Sequence, residues 1–148
     1  MKGIVCQVCG FVALDGVAPA NCPVCHSPKE AFQEKEEALK TAQDPKNLTE
    51  LEKKHIPVIL VEKKCGLLPG TGCVDVHVKL GEVQHPMIPE HFIGRIDFYV
   101  DKKFAARVIL TPEKLNPAAG LHLKESRGTL SVVENCNIHG TWIREIAL

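Results

Sequence analysis

The chain has 148 residues, 45% of them apolar and 5% aromatic, and its 18 basic and 18 acidic side chains cancel. That balance excludes wholesale disorder and any net field drawing nucleic acid or an anionic membrane, and no apolar run approaches the ~18 residues of a bilayer-spanning helix. Seven cysteines and seven histidines in so short a chain direct attention to ligand chemistry.

Residues 1–28 hold only two charged side chains, Lys2 and Asp15, and two C-x2-C knuckles. Cys6 and Cys9 form one and Cys22 and Cys25 the other, with twelve residues between them. Sulfurs at this spacing grip one ion while the backbone turns around them, and four thiolates suit iron and zinc equally. A redox dithiol fits poorly, because the motif occurs twice and no βαβ pattern surrounds it. An odd cysteine count, with no room for a leader before Cys6, predicts reduced thiolates and a cytoplasmic location.

Residues 29–51 are charge-dense and predict a helical linker. Ser27-Pro28-Lys29-Glu30 offers an N-cap serine, a proline at the first helical position and a glutamate three residues after the cap. Ala31, Phe32, Ala38, Leu39 and Ala42 then form a narrow apolar stripe. Asp44-Pro45 stops this helix, and Asn47-Leu48-Thr49-Glu50 caps a second short turn that Pro57 ends. Straight, such a linker holds its ends roughly tens of ångströms apart at ~1.5 Å per residue.

After Ile56 the period changes to alternation, clearest in Cys73 to Leu80. Ile96, Phe98 and Val100 repeat it, as do Leu121 and Leu123. Val58–Val61, Ala105–Leu110 and Leu130–Val133 are further β-branched or apolar runs, and the pattern predicts an all-β sandwich over 52–148. Its loops carry His55, the pair His85 and His91 across a Pro-rich turn, and Cys136 with His139. Four imidazoles and one sulfur suit redox-active iron better than structural zinc. Cys65 and Cys73 flank a glycine-rich hairpin and are expected as free thiols. His77 and His122 are expected on the surface, and Trp142 in the core or lining the site.

Two resemblances sharpen this picture. Cys9-Gly10-Phe11 and Cys22-Pro23-Val24-Cys25, followed by Ser27-Pro28-Lys29, resemble the short rubredoxin-like domain of rubrerythrins, with His26 where that family usually has glycine. The likeness implies one iron on Cys6, Cys9, Cys22 and Cys25, passing one electron at a time. A zinc ribbon is the alternative.

Lys54-His55-Ile56-Pro57, His85-Pro86-Met87 through His91, and Cys136-Asn137-Ile138-His139-Gly140 resemble the superoxide reductase family, the neelaredoxin and desulfoferrodoxin group. The family implies an immunoglobulin-like β-sandwich with one non-haem iron. His55, His85, His91 and His139 would be equatorial and Cys136 axial, with the sixth position open to superoxide. It also implies reduction of superoxide to hydrogen peroxide, an electron donor such as rubredoxin, and assembly as a homo-oligomer. Lys54 matches the lysine that draws the anion in. The family's glutamate, which caps the oxidised iron, is replaced by Lys53. Glu52 lies one residue further back, as a substitute ligand or as a solvated helix charge.

The whole therefore reads as mainly β: a rubredoxin-like metal-knuckle domain over 1–28, a helical linker over 29–51 and the sandwich over 52–148. Two other classes compete with an enzyme. One is an iron electron carrier without superoxide chemistry; the other is a four-cysteine zinc module on a metal-binding sandwich.

Overall fold

The computed structural model describes residues 1–68 and 72–148; Pro69, Gly70 and Thr71 of the expected hairpin lie outside the described residues. In chain order the strands are β1 (Gly3–Cys6), β2 (Val12–Ala13), β3 (Phe32–Lys35), β4 (Pro57–Glu62), β5 (Val74–Leu80) and β6 (Ile93–Val100). There follow β7 (Lys103–Ile109), β8 (Ala118–Leu123), β9 (Thr129–Cys136) and β10 (Gly140–Ala147). A single helical turn, α1 (Glu52–His55), leads into β4. Among the described residues, no helix is long and apolar enough to cross a membrane.

Alternation does what period-2 sequences must. In β5 the residues Val74, Val76, Val78 and Leu80 are buried while His77 and Lys79 face out. Three antiparallel strands in the order β4-β5-β8 form one sheet, and β10-β9-β6-β7 form the other. The apolar core joins residues of both sheets: Val76 and Leu80 from β5, Ile96 and Phe98 from β6, and Leu130 and Val132 from β9. β10 was not expected. Its Trp142 and Ile143 are adjacent and both buried, so neither face shows a clean alternation.

β6 and β9 are buried on both faces. Ile96 and Phe98 enter the sandwich core, whereas Asp97 and Tyr99, which alternate with them, are also fully buried. What covers the second face is the N-terminal unit, the sheet β2-β1-β3 and its two knuckles. Tyr99, Val133 and Ile143 share one apolar cluster with Val5, Phe11, Val12 and Leu39. Phe11 stacks on Tyr99 with centroids 5.9 Å apart, and the Tyr99 hydroxyl donates to the Val12 carbonyl at 2.9 Å.

Three charged residues fix the register of this docking. Buried Asp97 accepts two hydrogen bonds from Arg107, both at 2.6 Å. Held so, Arg107 donates to the Cys9 carbonyl at 2.8 Å, and Arg95 donates to the Gly10 carbonyl at 2.9 Å. The buried Asp97 charge is tolerated because both its oxygens are paired with the Arg107 guanidinium.

The helical linker is corrected. Residues 29–51 contain one 3-10 turn, Lys29–Ala31, then β3, then irregular backbone. The capping serine is used elsewhere: Ser27 Oγ lies 3.2 Å from Cys25 Sγ, and Pro28 precedes the turn with no side-chain cap. Phe32 to Lys35 instead pair with β1, which has only the two-residue β2 on its other side. Ala38 and Leu39, the expected helical stripe, are buried in the shared cluster. Tertiary pairing outweighs a helix propensity of a few tenths of a kcal/mol per residue. Beyond Leu39 the segment runs beside β10, with Lys40 N–H bonded to the Thr141 carbonyl and Ile143 N–H to the Lys40 carbonyl. It folds back onto the sandwich and does not hold the two metal sites apart as a rod.

Gly10 tests this docking. Its φ is +72°, and a Cβ there would stand 2.7 Å from Arg95 Nη2. Gly10→Ala is expected to cost about 1–3 kcal/mol, which denaturant unfolding would read as a lower midpoint at unchanged slope.

Candidate metal centres

Among the described residues, three groups of ligand-type side chains converge, each with its candidate atoms within 4.8 Å of one another. Two are those expected from the sequence.

The first comprises Cys6, Cys9, Cys22 and Cys25. Both knuckles turn in the same way: Gly10 N–H bonds the Cys6 carbonyl at 2.8 Å and His26 N–H bonds the Cys22 carbonyl at 2.9 Å. His26 adopts φ 62°, the left-handed conformation that its glycine-like position demands. Sulfur pairs stand at 3.7 Å for Cys6 and Cys25 and 3.5 Å for Cys9 and Cys22. A tetrahedral site with bonds of ~2.3 Å has edges of about 3.8 Å, so four thiolates fit one ion here. The Ser27 hydroxyl and amide lower the Cys25 pKa, while burial raises that of Cys9.

The second comprises His55, His85, His91, His139 and Cys136. The four rings occupy the corners of a square. Neighbouring centroids are 4.7 Å (His55 and His85), 4.6 Å (His85 and His91), 4.9 Å (His91 and His139) and 4.9 Å (His55 and His139), with a 6.5 Å diagonal from His55 to His91. Cys136 Sγ lies 3.6 Å from His139 Nδ1 and accepts from the His139 amide at 3.4 Å.

Each ligand is placed by local backbone. His55 ends α1, whose turn packs on Gly81: with φ +82°, a Cβ at Gly81 would lie 2.6 Å from the carbonyls of Lys53 and Lys54. His85 N–H bonds the Leu80 carbonyl at the end of β5. Cys136 closes β9 opposite Ile93 at the start of β6. Asn137 binds the His91 loop to the Cys136 loop, accepting from Phe92 N–H at 2.9 Å and donating to the Glu90 carbonyl at 3.0 Å.

The donor set fits a cation. His55 Nδ1 lies 2.7 Å from the Leu51 carbonyl and His85 Nδ1 lies 2.7 Å from the Pro86 carbonyl. A carbonyl only accepts, so both protons sit on Nδ1 and both Nε2 atoms present lone pairs. Those two Nε2 atoms nevertheless face each other at 3.2 Å, and buried His91 Nε2 has no hydrogen-bond partner. Lone pairs at this distance repel unless a positive ion lies between them. Burial pushes the pKa of His55 and of His85 down to about 4, and that of His91 down as well, so these imidazoles are neutral at pH 7.

The two residues expected to act on substrate part company. Lys54 is exposed, and its charge contributes to the lowered His91 pKa. Glu52 lies outside the group of five. It is buried, and its oxygens accept from the Gln43 amide and the Thr49 amide, both at 2.8 Å, while Thr49 Oγ1 accepts from the Glu52 amide at 3.2 Å. These bonds form a capping box that ties the linker to α1, and the amides hold the carboxyl's pKa down.

Sequence reasoning missed Lys40 and Glu134. Lys40 donates to the His139 carbonyl at 3.0 Å and lies 5.5 Å over the Trp142 ring, which itself stacks on His55 at 5.0 Å. In sequence it is one lysine in a charge-dense stretch, and nothing there marks it. Glu134, two residues before Cys136, is fully buried with both oxygens unpartnered, and burial raises its pKa well above the carboxylate range.

Comparison with known proteins agrees with these groupings. The Desulfoferrodoxin family matches residues 47–145, and the rubredoxin-like domain of rubrerythrin matches residues 5–33. A superoxide reductase of Pyrococcus abyssi is 37% identical over 106 residues, covering 64% of this chain and 87% of the relative. A desulfoferrodoxin homolog of Archaeoglobus fulgidus is 31% identical over 143 residues, 96% of this chain and 94% of that one. The solved superoxide reductase of Nanoarchaeum equitans superposes with a TM-score of 0.56 at 26% identity, over 74% of this chain and 99% of that chain.

Because Glu52 binds amides, Glu52→Ala should cost about 1–2 kcal/mol of stability through the lost cap. The visible spectrum of the oxidised, iron-loaded protein should stay as it is in the wild type.

Proposed function

The chain belongs to the desulfoferrodoxin family, and on that premise we infer that it is a superoxide reductase, an oxidoreductase that reduces superoxide to hydrogen peroxide with one electron and two protons. The observation that carries this reading is the square of four imidazoles joined by a single cysteine sulfur.

Iron held by His55, His85, His91, His139 and Cys136 would supply the one-electron chemistry, and the single thiolate among imidazoles would favour its donation. The chain's own residues do the rest. Neutral imidazoles add no negative charge to repel an incoming anion. His55 and His85 are buried, whereas His91 and His139 are half-buried, so access is from the side of the latter two. Lys54, exposed beside His55 and felt at His91, raises the local concentration of superoxide without being a strong acid. Lys40 holds the His139 carbonyl, and Trp142 backs the His55 ring.

The four-cysteine group is read as an iron relay served by an external donor of the rubredoxin kind. Its support is the docking itself: the Gly10 carbonyl, one residue beyond Cys9, receives a hydrogen bond from Arg95 of β6. Arg95 in turn stands opposite Asn135, the neighbour of Cys136. Seven unpaired thiols suit a reducing cytoplasm. A homo-oligomer would leave this intrachain route intact.

Pulse-radiolysis measurement of superoxide decay tests the reading. Cys136→Ser should keep the sandwich folded yet lose both the visible thiolate-to-iron absorption and the reaction; retained activity would exclude the assignment. Lys54→Ala should react ~10-fold more slowly at low ionic strength with unchanged iron content, the difference vanishing in high salt. Equal rates at every ionic strength would rule out steering by this lysine.

A further inference from the structure

The third convergent group, Cys65, Cys73, Asp75 and His122, shares no residue with the other two. It sits on the smaller sheet. Cys65 follows β4, Cys73 and Asp75 stand at the head of β5, and His122 lies on β8 directly opposite Asp75. Alternation places Cys73 and Asp75 on the same side of β5, the side away from the sandwich core that Val74 and Val76 enter.

An outer face gives cysteines no reason to be buried, yet Cys65 is 9% and Cys73 6% exposed. Neither takes part in either apolar cluster. What surrounds them is each other's ligand chemistry. His122 Nδ1 lies 3.3 Å from Cys65 Sγ, 3.4 Å from Cys73 Sγ and 2.6 Å from Asp75 Oδ1. One ring nitrogen has either one proton or one lone pair, so it cannot satisfy three neighbours. Despite the short approach, buried Asp75 Oδ1 has no hydrogen-bond partner. The sulfur-to-nitrogen distances are close to the ~3.6 Å edge of a tetrahedron with bonds of about 2.3 and 2.1 Å. They also match the sulfur spacings of 3.5 and 3.7 Å in the four-cysteine group.

We propose that Cys65, Cys73, Asp75 and His122 form a third metal site, a closed structural site for zinc. Two thiolates, one imidazole and one carboxylate are a complete tetrahedral set for this ion, and the sulfurs disfavour magnesium and calcium. Ligands come from β5, β8 and the segment after β4. The ion therefore pins that segment to the outer face of the sheet and leaves no open position for a substrate.

The full chain, produced with added zinc sulfate and purified under reducing conditions without chelator, is compared with Cys65→Ser/Cys73→Ser and with His122→Ala by elemental analysis. The double variant should lose about one zinc per chain at unchanged iron content. His122→Ala, altered at an exposed ring, should release that zinc to a colorimetric chelator at lower concentration than the wild type. Equal zinc content in the wild type and the double variant overturns the site. So does a zinc-free wild-type chain lighter by two hydrogens, which is a Cys65–Cys73 disulfide. Should the double variant not fold, His122→Ala decides alone, and a release curve identical to the wild type overturns the proposal.

Discussion

The structure depends on a repulsion that the fold imposes and a cation relieves. His55 and His85 point bare nitrogens at each other across 3.2 Å, each fixed by a backbone carbonyl behind it. Alone, the four rings would spread apart. They stay together because each sits at the end of an element whose other end is committed to the sandwich: α1 against Gly81, the His85 turn against β5, Cys136 at the close of β9. Folding energy from the apolar core is used to hold donors where a metal binds without reorganisation.

Residues whose role is chemical and local were legible in the sequence. The knuckles, the His85 and His91 pair and the Cys136 and His139 pair could be read because ligands need particular atoms at particular spacings. β5 could be read because one-sided burial enforces a period of two, and β6 and β9 because their β-branched and apolar residues recur in short runs. Illegible residues owe their place to contacts distant in sequence. Phe32 to Lys35 read as helix and pair with β1, since local propensity is weak beside an unpaired strand edge. Lys40 reaches His139 across 99 positions, and no local pattern encodes that.

Glu52 shows how a correct local reading can miss the role. The sequence placed a short capped turn before His55, and the turn is there. Its capping carboxylate is Glu52 itself, which reaches back to Thr49 and across to Gln43. The residue thus influences His55 by fixing the turn that ends in it. A carboxylate already accepting two amide hydrogen bonds has a strong competing claim on its lone pairs.

Sharing one apolar cluster between the N-terminal unit and the outer face of the β6-β9-β10 sheet has a consequence for modularity. Tyr99, Val133 and Ile143 are buried only because Phe11, Val12 and Leu39 lie over them. A sandwich cut free at residue 47 would present these side chains to water, together with the Asp97, Arg95 and Arg107 cluster stripped of its carbonyl acceptors. Recombining the two units with other partners would require resurfacing β6 and β9 as well as rejoining the chain. Within this chain the two units are therefore coupled side chain by side chain, and a change at Phe11 constrains what residue 99 can become.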